Sequence, residues 1–334
     1  MASPLPERFG DYELTKRLGV GGMAETFVAV RRGLAGFEQR VCLKRILPTF
    51  AGDADFIEMF LREARLSALL HHGHIARVLD FGVAEGSHYL TLELIEGTDL
   101  RTLLRDHLHS RGNVLEPGLT SYVGHALAAA LDYAHTADDC GRAAGIIHRD
   151  VSPSNVLISN EGEVKLADFG IAKATRIPGS IQSGALKGKV PYMAPEYALG
   201  RSCSPRSDLF SLGVLLYECL AGRRPFDGDN DMQTLARARA GQHDPLRVAA
   251  PHAPQVLADA IESLMTPDPA GRPIHARALL SRLAGFPPPP LAHLELVRLV
   301  RDVRGTRAEP TGPGLASTRP AVTLRPRKRV PSRG

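Results

Sequence analysis

Long apolar runs are missing from this chain. No stretch in its 334 residues approaches the roughly 18 consecutive apolar residues that a membrane-spanning helix requires. The opening segment, MASPLPERFGDYEL, lacks the basic-then-apolar pattern of a secretion signal. Cysteine is scarce: Cys42, Cys140, Cys203 and Cys219 are the four present, far apart and without C-x-x-C spacing, which argues against a zinc site and a disulfide framework. These absences predict a soluble, cytoplasmic protein with reduced thiols and no integral membrane segment. Internal repeats are absent too, and no attached sensor unit is discernible.

What is there suits a globular protein: 43% hydrophobic and 23% charged residues, long enough for two lobes, a shared cleft and a tail. The net charge of +5 is unevenly spread. Residues 286–334 hold ten Lys and Arg against three acids, so that segment is +7 and the remainder −2. The basic character therefore belongs to the tail, and it gives no ground for reading the folded part as a nucleic-acid binder. The cluster Arg325-Pro326-Arg327-Lys328-Arg329 would suit an acidic partner surface, or simply a solvated tail.

From Tyr12 to about Leu100 the pattern is strand-like, with short apolar runs at 26–30, 40–44 and 89–92 between glycines and charged turns. One helix interrupts it, expected from about Asp55 to Leu70 with Asp53 as its cap. Beyond Thr102 the reading is helical, notably at Leu119–Ala137 and Ser207–Ala221. Pro287 to Pro290 favour an extended spacer, so the packed body is expected to stop near Phe286. A short amphipathic helix is foreseen at Leu291–Val303, and disorder over 305–334.

The chemistry-bearing segments are Ile147-His148-Arg149-Asp150-Val151-Ser152-Pro153-Ser154-Asn155, then Ala167-Asp168-Phe169-Gly170, then Met193-Ala194-Pro195-Glu196. Their aspartates and glutamate stand 18 and 28 residues apart. Upstream lie Leu18-Gly19-Val20-Gly21-Gly22-Met23-Ala24 and, 25 residues after Gly19, Lys44. Glycine lets backbone N–H groups approach phosphate oxygens without a Cβ in the way. A glycine-rich turn alone is more often structural, and a strand lysine is usually just solvated; order and spacing are what favour function here.

The series resembles the catalytic core of eukaryotic-type protein kinases, in particular bacterial serine/threonine kinases of the kind abundant in myxobacteria, over about residues 9–285. The resemblance implies an α+β, bilobal protein-kinase-like fold: a small β-rich lobe at about 9–97, a larger α-helical lobe at about 98–285, then a Pro-rich linker and basic tail at 286–334. It implies transfer of the ATP γ-phosphate to serine or threonine hydroxyls of protein substrates, with autophosphorylation and a signalling role. Mg²⁺ would be the metal, with Mn²⁺ as a substitute, and dimerisation would permit autophosphorylation in trans.

Carried over by resemblance, residues 18–24 cover the phosphates with Ala24 at the third glycine, and Thr26, Cys42 and Leu157 join the nucleotide-contacting set. Lys44 contacts the α- and β-phosphates and is held by Glu63, with Glu58 the alternative. Leu92, Glu93 and Ile95 lie in the hinge that receives adenine, Leu92 as gatekeeper. Asp99 is either a ribose-binding acid or a helix cap. Asp150 orients the substrate hydroxyl, Asn155 and Asp168 bind metal, and Arg149 implies an activation segment ordered by phosphorylation, for which Thr175, Ser180 and Ser183 are candidates. Glu196 with Arg272, and Asp208, are scaffold residues.

Two departures stand out. Ser152 occupies the position where these kinases carry a catalytic-loop lysine, and Lys189 follows Gly188 where they commonly have threonine. An exchange of positions, with Lys189 supplying the charge and Ser152 the hydroxyl, is one reading; drift with a solvated Lys189 is the other. Ser152 and Ala24 also lend support to a rival function, a catalytically impaired pseudokinase scaffold.

Overall fold

The computed structural model of the chain describes residues 5–111, 114–139, 142–169 and 190–307. Its first part is an antiparallel sheet built from β1 (Glu7–Phe9), β2 (Tyr12–Val20), β3 (Ala24–Arg32) and β4 (Glu38–Ile46), then, after helix α1 (Ala54–Ala68), β5 (Val78–Ala84) and β6 (Ser87–Glu93). The strand order is β1-β2-β3-β4-β6-β5.

Alternation along the strands gives this sheet two faces. Phe27, Ala29, Val41 and Leu43 point one way and close a small core with Phe9, Tyr12 and Leu14. Thr26, Cys42 and Lys44 point the other way, Thr26 directly opposite Lys44. Ile46 and Leu90 share this second face and take up Phe60 and Ala64 of α1. Helix α1 starts as expected: the Asp53 carboxylate accepts from the backbone N–H groups of Asp55 and Phe56, a side-chain N-cap.

The second lobe opens with β7 (Gly97–Asp99), α2 (Leu100–Arg111) and α3 (Pro117–His135), followed by the two-residue strands β8 (Asp138–Asp139) and β9 (Arg142–Ala143). Strands β10 (Val156–Ser159) and β11 (Val164–Leu166) join β7 in a three-stranded sheet ordered β11-β10-β7. Then come α4 (Pro195–Ala198), α5 (Pro205–Ala221), α6 (Asp231–Ala240), α7 (Leu246–Ala249), α8 (Gln255–Leu264), α9 (Ala276–Leu283) and α10 (Ala292–Arg307). The apolar run of α5 is a helix because it is buried nearly all round, from Leu209 to Leu220, in the core of this lobe. None of the described helices is long and apolar enough to cross a membrane.

The lobes are tied where the chain leaves α1. Ala76 N donates to Leu166 O at 2.9 Å, Leu166 N to His74 O at 2.9 Å, and the His74 ring bonds Val164 O at 2.9 Å.

At the C-terminal end the packed body does not stop near Phe286. Helix α10 inserts Ala292, Leu296 and Val300 into the core of the large lobe, against α2, α3 and β10. The proline run is a docked bend, not an exit: Ser121 Oγ donates to Phe286 O at 2.6 Å, and Pro289 lies where a Cβ on Gly118 would reach within 2.7 Å of its ring. Four prolines fix the local conformation, but only the facing surface of α3 determines where it lies.

Candidate active site

Lys44 projects from the cleft face of β4, and its Nζ donates to Glu63 Oε1 at 3.1 Å and to Asp168 Oδ1 at 3.2 Å. Glu63 lies on the buried side of α1 and Glu58 on its exposed side, so the helix settles which glutamate meets the lysine. Burial works against the ammonium charge, but the carboxylates of Asp168 and Glu63 outweigh it and raise the lysine pKa above its ordinary value. Lys44 therefore stays charged. Cys42, two residues earlier on the same face, has its thiol pushed up to about 12 by burial and by Asp168, with Lys44 opposing.

Asp150 and Asn155 approach the cleft from the large lobe. Asn155 Nδ2 donates to both the backbone oxygen and Oδ2 of Asp150, each at 2.8 Å. The loop that carries them is pinned from below by Asp208, a nearly fully buried carboxylate on α5. It accepts from His148 N and Arg149 N at 2.8 Å each and bonds His135 Nε2 at 2.8 Å. To present two successive N–H groups to one carboxylate the chain turns sharply, with Arg149 at φ 64°, a conformation L side chains seldom adopt. Asp168, at φ 56°, is another such residue, on the facing loop. Strain of this kind persists where surrounding contacts over-determine it.

His148 joins the two loops. Its Nε2 bonds Ala167 O at 3.1 Å and its Nδ1 accepts from Asp150 N at 3.2 Å, which fixes the proton on Nε2, while its ring lies 4.5 Å from that of Phe169. Below, Arg272 grips Glu196 with two nitrogens, both at 2.9 Å. Ser207 Oγ adds a bond to Glu196 at 2.7 Å.

The Protein kinase domain family model matches residues 12–282. The chain belongs to the protein kinase family. It is 39% identical over 284 residues to tyrosine-protein kinase MasK of Myxococcus xanthus, covering 85% of this chain and 44% of MasK. It is 38% identical over 268 residues to serine/threonine-protein kinase PknA of Mycobacterium tuberculosis, covering 79% of this chain and 58% of PknA. The chain thus spans about half the length of these curated relatives. Among solved structures, the PknI kinase domain of Mycobacterium tuberculosis superposes with a TM-score of 0.62 at 27% identity, covering 85% of this chain and 99% of that one.

Within this kinase fold, Thr26, Cys42, Lys44, Glu63 and Asp168 gather around the cleft face of the small sheet, and Leu92, Glu93 and Ile95 mark the passage between lobes. The Glu93 carboxylate is engaged by Lys165 Nζ at 2.9 and 3.1 Å and by Arg77 N at 2.9 Å. Asp99 Oδ1 accepts from Thr102 N at 2.9 Å, a cap for α2, and Leu157 stands directly opposite Asp99 in the adjoining strand. The turn after Val20 is closed by Gly21 N donating to Ala24 O at 2.8 Å, and Leu47 N donates to Met23 O at 2.9 Å. Cβ atoms on Gly19 and Gly22 would meet open space, and Leu18 and Val20 are exposed. Buried Ser152 bonds Ser154 Oγ at 3.1 Å.

The expectations for Lys189 after Gly188 and for Thr175, Ser180 and Ser183 lie outside the described residues; of the tail foreseen as disordered from 305, residues 305–307 belong to α10 and 308–334 lie outside them too. Sequence reasoning missed His135 and Lys165. Neither lies in a motif, and only folding brings His135 on α3 against α5.

Proposed function

We propose that the chain is an ATP- and Mg²⁺-dependent protein serine/threonine kinase of the cytoplasm, able to phosphorylate itself. The observation that carries this reading is Lys44 bound at once to Glu63 and Asp168, facing a loop in which Asn155 orients Asp150. Phosphoryl transfer asks little covalent chemistry of a protein; it needs positioning and charge neutralisation. Lys44, held charged by its two carboxylates, would contact the α- and β-phosphates. Asp150 would accept the proton of the substrate hydroxyl as that oxygen bonds to the γ-phosphorus and the bond to the bridging oxygen breaks, leaving ADP.

A hard cation fits the donor set. The Asn155 NH₂ is spent on Asp150, which leaves its amide oxygen as an acceptor, and the Asp168 carboxylate is half exposed in the cleft. These two groups would hold Mg²⁺, which supplies neutralisation of phosphate charge and keeps several waters of its own.

The test is incubation of the purified chain with labelled ATP, Mg²⁺ and generic protein substrates, followed by phosphoamino-acid analysis. Label on serine or threonine, lost in Lys44→Met, supports the proposal. Label on tyrosine alone would favour the activity in MasK's name over that in PknA's. ATP binding without transfer would favour the pseudokinase.

A further inference from the structure

The side of the small sheet turned away from the cleft carries a charged cluster that phosphoryl transfer does not use directly. Glu25 is the residue of β3 paired with Val20 of β2, just outside the glycine-rich turn, and on its other side it stands opposite Arg45 of β4. Arg45 Nε and Nη2 donate to Glu25 Oε1 at 3.0 and 2.8 Å, and Nη1 reaches Glu7 Oε1 on β1 at 2.8 Å. The Arg45 guanidinium carbon lies 4.9 Å from the ring centroid of Phe9 and 5.1 Å from that of Phe27. Arg17 Nη2 lies 3.4 Å from the second Glu25 oxygen, and its guanidinium carbon is 5.5 Å from the centroid of the Phe27 ring.

The side chains of Glu25, Arg45 and Glu7 are only 8, 13 and 16% exposed. Charges so little hydrated persist only where partners and hydrogen bonds satisfy them, and a planar guanidinium with ring contacts is far less free than a lysine would be. The position of this cluster is what gives it a consequence. Beyond Glu25 the turn is tied by the Leu47 N to Met23 O bond, but Leu18 and Val20 are exposed and Cβ atoms on Gly19 and Gly22 would meet open space, so the aim of the tip depends on how firmly its base is held. Thr26 and Lys44, the next pair along the same two strands, face the cleft from that base.

We propose that Glu25, Arg45 and Glu7 form a clamp that positions the glycine-rich turn for ATP, making the N-terminal strand β1, which lies before residue 12, a working part of nucleotide binding. The inference rests on the kinase reading above. These are positioning residues: none faces the cleft, and each acts through the backbone of the turn.

The experiment compares Glu25→Gln, Arg45→Met, Arg45→Lys and Glu7→Gln with wild type in the full chain, measuring mant-ATP binding with Mg²⁺, KM for ATP, kcat and melting temperature. Arg32→Gln is the control, because Arg32 bridges Glu13 and Glu38 in an exposed network at the far end of the same strands. A misplacement of about 1 Å in a positioning element can cost on the order of 10²-fold, and the smaller shift expected of the turn is put at about tenfold. Glu25→Gln and Arg45→Met should raise Kd and KM for ATP by about that factor with kcat changed no more than about twofold, a loss of binding more than of transition-state stabilisation. Arg45→Lys and Glu7→Gln should fall between them and wild type, and Arg32→Gln should match wild type. Should Arg45→Met not fold, the conservative Glu25→Gln and Glu7→Gln decide the matter. Folded variants with lowered melting temperature but wild-type affinity for ATP overturn the clamp and leave the kinase reading standing. A wild type that binds no ATP overturns both.

Discussion

At the scale of single residues, the cleft works by holding charges in place. Lys44→Met and Asp168→Asn should each nearly abolish phosphoryl transfer, by on the order of 10²–10³ or more, while circular dichroism stays unchanged. Asp150→Asn should bind ATP normally and turn over slowly, which single-turnover kinetics would reveal. Thiol titration offers a further check. Burial holds Cys42 and Cys203 protonated, with pKa values of about 12, whereas an unfolded cysteine ionises at about 8.5. Because the folded pKa is raised, the stabilisation is fully present below about pH 8.5 and is lost as pH rises towards 12. Peptide mapping after iodoacetamide should therefore find Cys42 alkylated far more slowly near neutral pH in the folded protein than in the denatured one, with the slow rate rising about tenfold per pH unit because only the thiolate reacts. A reactive Cys42 at neutral pH would contradict this environment.

At the scale of elements, the C-terminal helix has to be counted with the folded body. A sequence reading that ends the domain at the prolines expects truncation after residue 290 to be harmless. With Leu296 and Val300 fully buried, burial of those two side chains alone is worth about 3–6 kcal/mol before the cost of ordering the helix. Truncation after residue 290 should therefore lower the melting temperature by several degrees and expose apolar surface on α2 and α3. Leu296→Ala in the full chain should cost about 2–5 kcal/mol in denaturant unfolding. The approach is also close at Gly162, where a Cβ would come within 2.1 Å of His293 O, so Gly162→Ala should loosen the same helix.

At the scale of the molecule, a cleft between lobes needs a rigid floor. The floor is the buried Arg272–Glu196 pair and the Asp208 hub. Removing one partner of such a pair leaves an uncompensated charge and costs about 3–5 kcal/mol. Arg272→Ala should accordingly destabilise the whole large lobe, far more than loss of the exposed Arg32 network destabilises the small one. Acid acts the same way. Burial pushes the Glu196 carboxyl up, but bonds from Arg272 and Ser207 more than offset it and hold the pKa below its usual value. Its stabilisation is present above the ordinary glutamate range and is lost as pH falls through the lowered value, a loss that acid titration of Arg272→Ala should no longer show.

The kinase family, the bilobal order of elements and the cleft positions of Lys44, Asp150, Asn155 and Asp168 were legible in the sequence, because local turns and phosphate chemistry demand particular residue types at short, fixed spacings. Even the cap at Asp53 is a local matter of one carboxylate and two N–H groups. Choosing Glu63 over Glu58 required the face that α1 buries. The service of His135 to Asp208, the clamp of Glu7 on Arg45 and the docking of α10 arise from the tertiary fold alone. Each joins residues with no regular spacing between them, and such contacts depend on which surfaces the folded chain brings within reach.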